Sequence, residues 1–281
     1  MEESRHPLHA AMLLLTVMVD LHHHLLPGLD DGSPDLATSI EMARIAEAEG
    51  ITHIVCTPHA SSRYAFDPRK NAALVETLRS SLKEAGIHLT LGLGCDFHIS
   101  YDNVQDALAN PPNYSINGKD YLLVELPDFS LPPNLPETFY ELRLQGLTPI
   151  LTHPERNPTL QRDPDRLLPW LRDGLLCQVT AGSVLGHMGK EAEKFARRML
   201  KNRWAHFIAT DAHNTTSRAP RMREVADLIA KRYGPEYAEL ICRSNPMAVF
   251  QGWPLAEQEM HGLGEESESR SPSWWQRLMR M

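Results

Sequence analysis

The sequence predicts an α/β chain folded as a TIM-like barrel of seven βα units. Short apolar, β-rich runs alternate with amphipathic segments from residue 17 to residue 210, the order expected of parallel strands joined by crossover helices. Seven such runs can be drawn, one short of a full eight-stranded barrel. A chain of 281 residues, 42% hydrophobic and 23% charged, suits one barrel with short tails.

Residues 1–16 read as an N-terminal extension. The stretch Ala10 to Val19 imitates the apolar core of a signal peptide, but Glu2 and Glu3 precede it and no small-residue cleavage site follows. It is also too short to span a bilayer. The first strand covers 17–21. Ser33 as N-cap and Pro34 at the first position open the first helix, which faces inward through Leu36, Ile40 and Ala43 and stops at Gly50. Strand two, at 51–57, leads to a helix opened by Asp67 and Pro68, packed through Leu74 and Leu78 and closed by Gly86. The remaining strands fall at 88–95, 120–125, 148–152, 175–180 and 204–210, with later helices at 136–145, 164–173, 189–202, 218–232 and 235–244. The barrel domain therefore spans 17–253. Beyond it periodicity is lost, so 254–281 is expected to be a flexible linker, to residue 273, and a short tail in which Trp274 and Trp275 stand near two arginines. At about two turns, that tail suits an interfacial or partner-binding helix no better than a frayed end.

A net charge of −8 and a pI near 5.9 disfavour a nucleic-acid footprint. Cys56, Cys95, Cys177 and Cys242 show no C-x-x-C spacing, which fits buried reduced thiols and a cytosolic compartment.

On this scheme the unusual polar residues fall at the carboxyl ends of strands. VDLHHHLLPGLDDG supplies His22, His24 and Asp31, CTPHA supplies His59, GLGCDF supplies Asp96, and LLVELP supplies Glu125. ILTHPER adds His153 and Arg156, and IATDAHN adds Asp211 and His213. Carboxyl ends of barrel strands converge on one face. A lone histidine after a strand is usually a solvated or core-satisfying side chain, but here six of the seven strand ends contribute. His22 and His24, two apart on a strand, point the same way while His23 faces elsewhere. Five histidines and four carboxylates in one mouth need cations to offset repulsion and desolvation, and they exceed what one ion coordinates. Roughly two or three ions sharing carboxylates are expected, with manganese, iron or zinc suited to imidazole and carboxylate donors. A cysteine nucleophile in a C-x5-R loop is rejected, because Cys56 and Arg63 are separated by six residues, His59 among them.

These motifs, in this order, resemble the polymerase and histidinol phosphatase superfamily, and more closely its capsular-polysaccharide protein-tyrosine phosphatases of the CpsB/YwqE type. The likeness runs from about residue 18 to residue 251. It implies a barrel of that superfamily's distorted type and a manganese-dependent phosphoric monoester hydrolase. His22, His24, Asp31, His59, Glu125, His153, Asp211 and His213 would bind metal, with Asp96 as bridging acid where relatives generally carry the longer Glu. Arg156 and Arg218 would bind phosphate. A hydroxide generated on the ions would be the nucleophile, and His59 or another acid would protonate the leaving phenolate, an assignment left open. The implied partner is a tyrosine-phosphorylated protein, a bacterial tyrosine kinase of capsule or exopolysaccharide export, met in the cytoplasm or at the inner face of the membrane, with membrane contact only through the partner or the tail. The alternatives are a small-molecule phosphatase of the histidinol phosphate type, another phosphoesterase on the same barrel, or a metal-stabilised scaffold.

Overall fold

The computed structural model describes residues 17–127 and 130–263, so the expected N-terminal extension at 1–16 and the Trp274–Trp275 tail lie outside the described residues. Strands β1 (Met18–His23), β2 (Ile51–Cys56) and β4 (Thr90–Leu93) form one parallel sheet in the order β1-β2-β4. β3 (His59–Ala60), β5 (Asp96–His98), β6 (Tyr121–Glu125), β7 (Thr148–Thr152), β8 (Leu176–Thr180) and β9 (Phe207–Ala209) form the second, in chain order. The ring closes past β9. There Asp211 N–H donates to His22 O at 2.9 Å and His24 N–H donates to Ala212 O at 3.0 Å.

The predicted strands 51–57 and 88–95 are β2 and β4, and after a break each ladder resumes beyond its predicted end, in β3 and β5. Pro58 supplies the reason, since it has no N–H for the ladder and is confined to strand ends and irregularities. Pairing survives the break: Gly94 N–H donates to Cys56 O at 2.9 Å, and Asp96 N–H donates to Pro58 O at 3.1 Å. The last strand is shorter than the predicted 204–210.

Helix α1 (Leu36–Ala48) is capped by Asp35, whose side chain accepts from Thr38 N–H, and not by Ser33 as expected. The Ser33 hydroxyl instead donates to Asp35 O at 2.8 Å. The buried face of α1 is Ser39, Met42, Ala43 and Ala46, while Leu36 is exposed. α2 (Pro68–Glu84) has the expected Asp67 cap and left-handed Gly86. α3 (Tyr101–Ala109) was not foreseen, nor were the short helices α5 (Pro158–Arg162) and α7 (Ala181–Val184) that flank α4 (Leu135–Leu144) and α6 (Leu167–Arg172) in sequence. After α8 (Lys190–Lys201), α9 (Arg223–Tyr233) starts five residues later than the predicted 218, freeing 218–222 for a loop over the site. α10 (Pro235–Glu239) runs through a π turn, Leu240–Ser244, into α11 (Asn245–Gln251).

The interior of the barrel holds Val19, Leu21, Val55, Leu123, Ile150 and Phe207, plugged at one end by Val249 and Phe250. A larger apolar shell lies between the strands and the helices. Residues 254–263, read from composition as linker, run against the body: Gln258 Nε2 donates to Arg203 O and Ala205 O at 2.7 and 3.0 Å, and Trp204 Nε1 donates to His261 O at 2.8 Å. No helix among the described residues is long and apolar enough to cross a membrane.

Candidate metal centre

At the carboxyl end of β1 the strand shifts register against β2 between Asp20 and His23, an irregularity of the kind that re-aims side chains. Beyond it the Nε2 atoms of His22 and His24 stand 3.2 Å apart. Asp211 Oδ1 lies 3.4 Å from the first and 3.5 Å from the second. Parallel pairing sets His59 of β3 beside Asp96 of β5, with His59 Nδ1 3.1 Å from Asp96 Oδ2 and 3.7 Å from Glu125 Oε2. The opposite nitrogen, His59 Nε2, is 3.3 Å from Asp31 Oδ1, which is 3.6 Å from His213 Nε2. His153 Nε2 faces Glu125 Oε1 at 3.5 Å. All nine expected ligands therefore meet in one mouth.

Three overlapping groups have donor atoms mutually within 4.8 Å: His24, Asp31, His59 and His213; His22, His24 and Asp96; and His59, Asp96 and Glu125. Donors bound at about 2.1 Å to one tetrahedral or octahedral ion stand about 3.0–3.4 Å from each other, close to the separations seen here. Asp96 gives the sharper test. It is buried, and neither carboxylate oxygen has a properly directed hydrogen bond despite the imidazoles around it. A buried carboxylate left in that condition is costly unless a cation takes its lone pairs, so the donor set fits a metal cluster of nitrogen and oxygen ligands.

Electrostatics among the protein groups alone point the same way. Burial depresses His22 and His59, but the carboxylates outweigh it: Asp96 and Asp211 bring His22 up to about 9, and Asp31 and Asp96 bring His59 up to about 11. Burial and then the charge of Asp96 raise Glu125 to about 8. Burial also raises Asp211, yet His22, Arg218 and Arg156 hold it well below the carboxylate range. His153 and His213 are pushed down to about 3, chiefly by burial. A site that keeps protons on imidazoles to balance its carboxylates is one where metal ions and protons compete for the same atoms.

Two arginines overlook the cluster. Arg156 ends the turn Pro154–Arg156 behind His153, whose φ of 32° is left-handed. Arg218 is folded back by a loop in which His213 N–H donates to Arg218 O at 2.9 Å and Asn214 Oδ1 accepts from Arg218 N–H at 2.9 Å. Both guanidinium groups reach Asp211 Oδ2, Arg218 at 2.6 Å. Asp211 and His213 lie beyond the last strand: β9 ends at Ala209, and Asp211 has a φ of 52°. With His59, Glu125 and Tyr64 the arginines line an open cavity of about 300 Å³.

Sequence reasoning missed the residues that hold these ligands. Asp30 Oδ2 pairs with His24 Nδ1 at 2.8 Å and accepts from His59 N–H at 3.0 Å. Gln178 Oε1 meets His22 Nδ1 at 3.0 Å; it lies inside the sixth predicted strand, the one strand to which no site residue was assigned. Asp20 anchors the segment after β9 by accepting from Thr210 N–H at 3.0 Å, and buried Glu155 accepts from Thr180 N–H at 3.0 Å. The four cysteines are buried. Burial pushes the Cys56 and Cys242 thiols up to about 12 and raises those of Cys95 and Cys177, leaving no thiolate nucleophile.

Residues 18–251 match the family described as capsular polysaccharide synthesis, CpsB/CapC. The chain is 33% identical over 254 residues to the tyrosine-protein phosphatase YwqE of Bacillus subtilis, covering 88% of this chain and 100% of that one. It is 26% identical over 239 residues to the tyrosine-protein phosphatase CpsB of Streptococcus pneumoniae, covering 83% of this chain and 98% of the relative. A crystal structure from work on YwqE and CpsB, described there as unique metal-dependent tyrosine phosphatases, superposes with a TM-score of 0.82 at 32% identity, over 88% of this chain and 100% of that chain.

Proposed function

The chain belongs to the CpsB/CapC family of capsular polysaccharide synthesis proteins, and from that premise we propose that it is a metal-dependent protein-tyrosine phosphatase whose mouth of nine ligands and two arginines removes phosphate from tyrosine side chains. The observation that carries this reading is the shared grip of Arg156 and Arg218 on Asp211 Oδ2 directly beside the ligand cluster. A phosphate entering there meets two planar guanidinium forks already held in place.

We assign His22, His24, Asp31, His59, Asp96, Glu125, His153, Asp211 and His213 to the metal ions; imidazole and carboxylate donors suit manganese, iron or zinc, and the resemblance to manganese-dependent tyrosine phosphatases favours manganese. When bound, such ions supply Lewis acidity toward the phosphoryl oxygens and activate water near neutral pH. Arg156 and Arg218 orient the phosphate and offset the charge that develops on its oxygens. His59 is better placed as a ligand than as an acid toward the leaving phenolate, because both its ring nitrogens face carboxylates. A phenolate with a pKa near 10 leaves with little assistance.

The finer reading is that the substrate is the tyrosine-phosphorylated segment of a bacterial kinase controlling capsule or exopolysaccharide export, met in the cytoplasm; the family's link to capsular polysaccharide supports it. The test is turnover by manganese-loaded protein on a phosphotyrosine peptide from such a kinase, with histidinol phosphate alongside. Faster release of phosphate from the peptide, lost on chelation, is expected. Preference for histidinol phosphate would replace this reading with that of a small-molecule phosphatase.

A further inference from the structure

The turn that follows β3 places an aromatic side chain in the cavity. Ser61 N–H donates to Tyr64 O at 3.2 Å, and Ser61 Oγ accepts from the N–H groups of Arg63 and Tyr64 at 3.3 and 3.2 Å. Asn103 Nδ2 pins the start of this turn by donating to Ala60 O and His98 O at 2.8 and 2.7 Å. Two residues on, Phe66 stacks on Tyr114 at 5.0 Å and joins the core. With both flanks fixed, the Tyr64 ring lies nearly parallel to His59, 10° between planes and 5.5 Å between centroids, and the Arg63 guanidinium stands 5.0 Å from its centre. Tyr64 is half-buried and lines the cavity that Arg156 and Arg218 share.

We infer that Tyr64 is the wall against which the aromatic ring of the substrate's phosphotyrosine lies, making it a residue that selects aryl over alkyl phosphates. The inference rests on the phosphatase reading above. His59 meets carboxylates of the ligand cluster through both ring nitrogens, and Tyr64, which lines the same cavity, stacks on it one ring away. The phenol ring of a tyrosine phosphate stands at a comparable remove from its phosphorus. An alkyl phosphate presents no face there. Offset or edge contacts between aromatic rings add to area burial, and the ordered turn means that little freedom is lost when the ring docks.

The test is calorimetric binding of benzylphosphonate and ethylphosphonate to the manganese-loaded protein. Neither carries a scissile ester, so leaving-group chemistry does not enter. The native protein is expected to prefer the benzyl compound. Tyr64→Ala should cut that preference about three- to tenfold, while Tyr64→Phe should keep it. An unchanged preference in Tyr64→Ala overturns the inference, whether both affinities persist or both fall together. The joint fall would mean that Tyr64 acts only by positioning His59. Absence of a benzyl preference in the native protein overturns it too. Failure of the phosphatase reading registers separately, as absence of turnover on the phosphotyrosine peptide.

Discussion

Arg156 and Arg218 reach one oxygen of Asp211 from two different loops, so each keeps the buried carboxylate compensated if the other is removed. Arg156→Ala should therefore lower kcat/KM by roughly 10²-fold or more, about 3 kcal/mol of transition-state stabilisation, with metal content retained. Arg156→Lys should recover only part of this, because an ammonium cannot present a planar fork to two oxygens. Steady-state kinetics with metal analysis on both variants checks it, and metal lost along with activity would make Arg156 a support of the ligand shell. Asp30 acts one contact further back, against His24 Nδ1 and His59 N–H. Asp30→Asn should weaken metal affinity about tenfold or more, read by chelator competition; an unaltered affinity would leave Asp30 a loop residue only. The residues proposed as ligands were legible in the sequence because all but Asp31 stand out close to a strand end. Asp30 was not, since nothing in DDG tells which aspartate turns toward the metal side, and Tyr64 was not, since its role depends on how a turn folds back.

The barrel units were legible because period and punctuation agree along most of the chain, as in α2 with its Asp67 cap and Gly86 stop. The breaks were not, because Thr57-Pro58 and Gly94-Cys95 interrupt strands whose ladder bonds continue across them. Helix α1 was read in part: Ala43 is buried and Ile40 packs against the core as expected, while Leu36 is exposed and the buried Ser39 and Ala46 are small or polar residues that a search for large apolar ones passes over. The loop between β1 and α1 carries the tightest local constraint. It returns on itself through Ser33 N–H to His24 O at 3.1 Å, and a Cβ at Gly32 would stand 2.4 Å from His24 Cβ and 2.5 Å from His24 O. Only glycine allows that approach. Gly32→Ala should force His24 away from Asp30, costing about 1–3 kcal/mol of stability and releasing metal more readily. Thermal unfolding and metal retention measure both, and a variant with native values for each would show that the loop yields without moving His24.

Across the whole molecule the proposed ligands run from His22 to His213, so metal bound among them ties the first strand to the segment that closes the ring. Stability and metal occupancy should then be linked, and the linkage has a sign. His22 and His59 are raised to about 9 and about 11. Their stabilisation of the metal-free fold is complete below the unfolded imidazole value of about 6.5 and fades as pH climbs through the folded values. Glu125, raised to about 8, works in the same direction: once it ionises, it repels Asp96. His153 and His213, held down to about 3, change charge only at lower pH and leave this window alone. Metal ions supply the positive charge without protons and bind better as the imidazoles and Glu125 lose theirs. The difference in Tm between manganese-loaded and chelator-treated protein is therefore expected to widen steadily from about pH 6.5 to about pH 9. Buffer-dependent enthalpies in calorimetry should show protons released on loading in the same range. A gap in Tm that stayed level or narrowed, with no proton release, would mean that the carboxylates of the mouth are balanced by something other than protons shared with the metal ligands.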